Sequence, residues 1–344
     1  MQKKIKWPLV GNNHVTRYLE KILWSESAGG AYVFNGPDNL GKTTTALHFA
    51  RLLSCRKPAK YDCENCSMCQ NVVIDEETDD ESDVLASDLY FVKKSKDKKN
   101  ISIEQIRTLI KALSLSSFSG GYKLGIIKHA DGMSEEASNA LLKTLEEPKK
   151  KVLIILITNN LNRLLKTIIS RSQIINFRPV NTDVIYDSLL TANGVNRTEA
   201  RSVARRSSGR PALAAKFAED REFSDLYKKR VRSFVEIFFS IDISRRLSAL
   251  DGLTEKSWTN QETVSAVRRI FDIWLSAARD ILNYDLNVKY LIQNEELERE
   301  CDSTVRSFGM SEIVALIKLI EKSKILLHQN VNPKLVLENV VINF

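Results

Sequence analysis

The stretch Gly36-Pro37-Asp38-Asn39-Leu40-Gly41-Lys42-Thr43 constrains the fold more than any other part of the chain. It follows an apolar run, Ala31–Asn35, and leads into a helical pattern over Thr44–Leu53. Strand, glycine turn and helix in that order open a parallel βα unit, and the turn has the spacing of a phosphate loop. The glycines let backbone amides approach phosphates, the helix N-terminus attracts negative charge, and Lys42 reaches the terminal phosphates. Thr43 offers a hydroxyl to magnesium, with Thr44 beside it. Gly36, Gly41, Lys42, Thr43 and Thr44 are therefore the candidate contacts to ATP or ADP with Mg²⁺. The bland alternative is a chance glycine turn, and the flanking strand and helix argue against it.

Directly behind this helix stand Cys55, Cys63, Cys66 and Cys69, four of the five cysteines in the 344 residues. In a reducing compartment such a cluster reads as metal ligands before disulfides. Four thiolates are what a closed, tetrahedral structural zinc site requires, and Cys-x2-Cys spacing brings two sulfurs to one ion from a tight turn. An iron–sulfur cluster is the rival for the same spacing. Nothing nearby suggests redox chemistry, so zinc is the preferred metal.

Residues 1–178 alternate apolar strands with helical patterns, as a parallel sheet covered by helices requires. The expected strands are Ala31–Asn35, Leu89–Val92, Leu124–Ile127, Val152–Ile157 and Ile174–Phe177. Val152–Ile157 is apolar throughout, as a central strand buried on both faces must be. Ser102 with Gln105 three residues on forms a capping box, and Ser134 opens a second helix that Pro148 ends. Asp75–Asp83 is too acidic to pack, and Lys93–Asn100 is mostly lysine and polar; both are expected as exposed loops. Beyond Pro179 the pattern is helical, with stripes such as Val267/Ile270/Phe271/Trp274/Ala278/Ile281 and Ile313/Leu316/Ile317/Ile320. The net charge of +8 favours polyanionic partners such as nucleic acid, or else reflects an excess of solvated lysines. No apolar run approaches the ~20 residues that span a bilayer, and the N-terminus has the charge of a signal peptide without its apolar stretch. A cytoplasmic protein is expected.

Hydrolysis needs acidic residues at the end of a second strand, to hold magnesium and orient water. The candidate strand, Leu124–Ile127, runs instead into Lys128-His129-Ala130-Asp131. Asp131 reads as a turn residue or a cap for the next helix. The chain is expected to bind nucleotide but to hydrolyse it poorly or not at all, with no independent catalysis.

The phosphate loop, the cysteine knuckle, Ala137-Ser-Asn-Ala-Leu-Leu-Lys-Thr-Leu-Glu-Glu-Pro148 and Ile169-Ser170-Arg171-Ser172 occur here in one order. In that order they resemble bacterial DNA polymerase III clamp-loader subunits, those of delta-prime type most closely and gamma/tau next. The resemblance runs from Val10-Gly11-Asn12 to Asn332-Pro333 and on to Glu338. It implies an α/β AAA+ phosphate-loop module with a parallel sheet (1–178, zinc knuckle at 55–69), a helical lid (179–218) and an all-α collar that joins subunits (219–344). Ser170-Arg171-Ser172 matches the family's Ser-Arg-Cys, whose arginine acts as a finger on ATP bound by a neighbouring subunit; here serine replaces the cysteine. A guanidinium suits that task because it is always charged and donates a fork of hydrogen bonds. Taken on its own residues, Arg171 reads as a surface salt bridge. Asn159 matches the sensor 1 position, and Arg210 in Gly209-Arg210-Pro211 lies where sensor 2 sits. The implied partners are gamma/tau and delta subunits, a sliding clamp and primer-template DNA, with DNA contacts mainly to phosphates. The expected role is a stator that lends Arg171 in trans. The alternatives are a gamma/tau-type ATPase motor and a stand-alone phosphate-loop NTPase with a structural zinc.

Overall fold

The computed structural model describes residues 5–25, 28–55, 82–86, 88–94, 100–117, 120–192, 194–240, 242–253, 260–297, 309–329 and 331–344. They form two compact units, Met1–Asn181 with Arg210–Ala212, and Thr182–Gly209 with Leu213–Phe344.

The first unit is built on a six-stranded sheet of order β2-β3-β4-β5-β1-β6. Its strands are β1 (Gly30–Asn35), β2 (Ser82–Ala86), β3 (Leu89–Val92), β4 (Lys123–Ile127), β5 (Val152–Thr158) and β6 (Ser172–Asn176). The five strands from β3 to β6 run parallel, and β2 pairs antiparallel with β3 at the edge. Strand β2 departs from the acidic loop expected over Asp75–Asp83, since Ser82 and Asp83 pair with Val92 and Phe91. An edge position accounts for it, because edge strands tolerate charge that a central strand excludes.

Alternation along β1 and β5 divides the core between the sheet's two faces. Tyr32, Phe34, Leu153, Ile155 and Ile157 join one apolar cluster with Leu19 and Phe49. Ala31, Val33, Ile154 and Leu156 join the other with Ile106 and Leu141. Helices α1 (Asn13–Trp24) and α2 (Lys42–Ser54) supply the first layer. Helices α3 (Ile103–Ser114) and α4 (Glu135–Glu146) supply the second. Both of their starts carry the expected caps: Ser102 and Gln105 bond reciprocally, and the Ser134 hydroxyl accepts from the Ala137 amide at 3.1 Å. Such caps satisfy donors that the first turn leaves unpaired, each contributing about 1 kcal/mol. The short helix α5 (Lys166–Ser170) delivers the chain to β6.

Every element described in the second unit is helical. Besides three short 3-10 turns, its described helices are in order α6 (Thr182–Ala192), α7 (Arg197–Arg206), α8 (Pro211–Glu219, beginning in the first unit), α9 (Arg221–Phe238), α10 (Ile243–Asp251), α11 (Asn260–Asp285), α12 (Met310–Leu326) and α13 (Pro333–Ile342). Trp274, Phe234, Phe238 and Phe271 are fully buried at its centre, where Phe238 meets Trp274 edge to face at 5.0 Å. Val267, Ile270, Ala278 and Ile281 follow the helical spacing into the same core. Among the described residues no helix is long and apolar enough to cross a membrane.

Candidate nucleotide site and the arginine edge

The phosphate loop lies where parallel-sheet proteins gather ligands, beyond the carboxyl ends of the strands. Strand β1 ends at Asn35, opposite Thr158 at the end of β5, and the Gly36 amide bonds the Thr158 carbonyl at 3.3 Å. Gly36 has φ +146°, and a Cβ there would lie 2.4 Å from the Phe177 carbonyl oxygen, so the position admits glycine alone. Gly41 has φ +83° and forms the left-handed entry to α2. Asn39 has φ +64°, a conformation asparagine tolerates better than most side chains. Its carbonyl accepts from the Ala212 amide at 3.1 Å, which brings the backbone beside Arg210 to the loop.

Lys42 is buried and bent onto its own loop. Its ammonium donates to the carbonyls of Gly36 (2.5 Å) and Pro37 (2.6 Å) and lies 3.9 Å from an Asp38 carboxylate oxygen. Burial lowers its pKa from the ordinary lysine value, while Asp38 and Asp131 act in the opposite sense. Thr43 is half-buried and Thr44 exposed at the head of α2. Asn159, one residue past β5, is exposed and donates from Nδ2 to Asp38 at 3.2 Å. The loop thus gathers Lys42, Asn159 and Asp38, the last of which the sequence reading had not singled out. An acid at the third position of the loop was the available signal.

The end of β4 supplies the second wall. Lys128 and His129 follow Ile127 directly, and Asp131 sits in a 3-10 turn over Ala130–Gly132. Asp131 accepts from the Thr158 hydroxyl at 2.8 Å, which ties this turn to β5. His129 keeps an accessible edge yet is crowded by protein, and that crowding is the largest force holding its pKa below the usual imidazole value. Asp38 and Asp131 oppose the shift, whereas Lys128 and Lys42 reinforce it.

Arg171 lies elsewhere, at the C-terminal cap of α5 where the chain turns into β6. It is partly exposed and pairs with Glu146 at 2.8 Å, while Nη1 donates to the Thr167 carbonyl at 3.1 Å. Glu146 belongs to the Leu-Glu-Glu-Pro run at the end of α4, so the two motif segments meet in this pair. The surface salt bridge read from Arg171 itself is thus present, although its spacing did not name Glu146 as the partner.

Of the four clustered cysteines, Cys55 alone is described; it is buried, just past α2. Cys63, Cys66 and Cys69 lie outside the described residues, as do residues 75–81 of the expected acidic loop. Among the described residues no three His, Cys, Asp or Glu side chains gather as a metal site.

The family model for the DNA polymerase III delta subunit matches residues 11–181. DNA polymerase III subunit delta′ of Bacillus subtilis is 28% identical over 335 residues, 95% of this chain and 94% of that protein. Subunit delta′ of Pseudomonas aeruginosa is 34% identical over 159 residues, 44% of this chain and 45% of that one. Subunit tau of Bacillus subtilis is 32% identical over 178 residues, 52% of this chain but 30% of its own length. Among solved structures, a gamma subunit-related protein of Thermotoga maritima matches with a TM-score of 0.53 at 20% identity, over 94% of this chain and 97% of that one. That likeness speaks for the fold alone. The tau match is confined to half of this chain, whereas the Bacillus delta′ match continues through the helical unit to nearly both ends. The chain belongs to the delta-prime-like family of DNA polymerase III clamp-loader subunits.

Proposed function

We propose that this clamp-loader subunit works as a stator: it presents Arg171 to ATP held by a neighbouring gamma/tau-type subunit and hydrolyses little nucleotide itself. The observation that carries the reading is the setting of Arg171. Its guanidinium stands at the surface, held by one exposed ion pair and helix-end acceptors. An exposed pair is worth about 0–1 kcal/mol. An arginine on a transferring phosphoryl group accelerates its loss by ~10³–10⁵-fold. Leaving Glu146 therefore costs little, and the released guanidinium is free to stabilise the charge of the transition state. Lys128 and His129 at the end of β4 support the other half of the reading, since neither side chain can ligate magnesium as a carboxylate does.

The test is reconstitution with gamma/tau and delta subunits, reading ATPase stimulated by a sliding clamp and primer-template DNA. Arg171→Ala should remove part of the complex's turnover with assembly intact, and the chain alone should show none. An unchanged rate would end the in-trans role. A motor role of gamma/tau type is the second reading, favoured by the intact cradle of Gly36, Gly41, Lys42 and Thr43. DNA-stimulated ATPase in the isolated chain would establish it.

On the same reading, residues 179–218 form a lid that sets Arg210 as a sensor near the loop, and 219–344 form a collar. Leu335 and Ile342 of α13 and Ile325 of α12 expose apolar surface of the kind that subunit contacts bury. DNA contacts run along phosphates, and the setting is cytoplasmic. Cys55, Cys63, Cys66 and Cys69 would hold a structural zinc; the buried thiol of Cys55 and an all-sulfur donor set suit a closed site. Elemental analysis should return one zinc per chain, and an iron-derived absorption band would reverse the assignment.

A further inference from the structure

The side chains that the nucleotide reading assigns to the end of a polyphosphate converge on a carboxylate of the loop itself. Lys42 reaches one oxygen of Asp38 at 3.9 Å, and Asn159 donates to the other at 3.2 Å. His129 has Asp38 as its strongest charged neighbour. Lys42 donates to the carbonyls of Gly36 and Pro37, and the Asp38 carboxylate stands beside its ammonium as an ion-pair partner, with Asp131 a further anion acting on it. We propose that Asp38 is a resident anion at the terminal-phosphate position, which makes the loop prefer a nucleoside diphosphate to a triphosphate.

The argument is electrostatic and rests on the reading of Gly36–Thr43 as a nucleotide cradle. A third phosphate that engages Lys42 and Asn159 must settle beside this negative charge, displace it from Asn159 and share the Lys42 ammonium with it. Solvent screens part of that repulsion at a half-exposed carboxylate, and what remains sets the preference. A diphosphate ends one group earlier, uses the loop amides and the N-terminus of α2, and leaves Asp38 with its partners. The carboxylate is about half exposed, so it can turn outward, and the triphosphate is disfavoured without being excluded.

Asp38→Asn isolates the charge, because the amide oxygen can still accept from Asn159. Isothermal titration of the full chain with MgATP and with MgADP, in wild type, Asp38→Asn and Lys42→Ala, reads both affinities. Asp38→Asn should tighten MgATP about tenfold or more, equivalent to about 1.4 kcal/mol, and change MgADP less than about threefold. Equal changes for the two nucleotides, or an unmoved MgATP affinity, would overturn the inference while leaving the cradle in place. Heat signals absent from all three proteins would remove the nucleotide reading itself, and this inference with it.

Discussion

Gly36 and Arg171 illustrate two kinds of constraint on single residues. Gly36 is fixed by backbone: its φ of +146° and the Phe177 carbonyl at 2.4 Å from any Cβ leave no room for a side chain. Gly36→Ala should destabilise the first unit by about 2–3 kcal/mol, seen as a lowered urea midpoint at constant slope; an unchanged midpoint would show that the strand exit yields. Arg171 is fixed by little beyond Glu146 and the end of α5, so its chemistry is decided by what it meets. The phosphate loop was legible in the sequence because its glycines and lysine obey fixed local spacing. The pairs Arg171–Glu146 and Asp38–Asn159 were not, because they join segments whose proximity is set by the sheet order.

At the scale of elements, the strands β1, β3, β4, β5 and β6 and the capped starts of α3 and α4 were readable from apolar runs and capping residues. Strand β2 was missed because an antiparallel edge strand is specified by its neighbour more than by its own composition. Helix α2 carries a pH-dependent contact to the N-terminal segment. His48 packs edge-on against Trp7 at 5.2 Å, with Arg51 3.3 Å from Nδ1. Burial first, and Arg51 second, push its pKa down to about 4 from 6.5. The unfolded chain then binds the proton more readily than the folded one. Stability from this group is complete above pH 6.5 and declines as pH falls towards 4. The difference in unfolding free energy between wild type and His48→Phe should therefore vary with pH across that window. A flat difference would mean that the imidazole is not desolvated.

Across the whole molecule, the second unit combines a dense aromatic core with one buried polar network. Asp280 is fully buried and accepts from the Asn294 amide at 2.8 Å and from its side-chain nitrogen at 2.7 Å; Tyr227 donates to Oδ1 of the Asn294 side chain at 2.9 Å. These bonds join α9, α11 and the turn before residue 297, so Asp280→Ala should cost about 2–4 kcal/mol by stranding buried donors. Thermal or urea unfolding checks this. Burial raises the Asp280 pKa above 3.8, against the opposing effect of Asn294, Gln293 and Arg279. Relative to Asp280→Asn, the wild type should gain stability as pH falls through the raised value to 3.8, because its folded form holds the proton more tightly. The helical periodicity of this unit was plain in the sequence, but the network was not, since Asp280 and Asn294 carry no signal of their burial.

The crowding of Gly36 against Phe177, together with the folding of Lys42 onto the carbonyls of Gly36 and Pro37, bears on how such chains diverge. Of the two, Gly36 is demanded by the shape of the turn, whatever passes through it, whereas Lys42 meets no steric need that only lysine satisfies. A lineage that gave up nucleotide altogether would still need that glycine, so its persistence records architecture. Thr43 and Thr44, half-buried and exposed, face no such demand, and drift at those two positions is the more faithful trace of a ligand retained or abandoned.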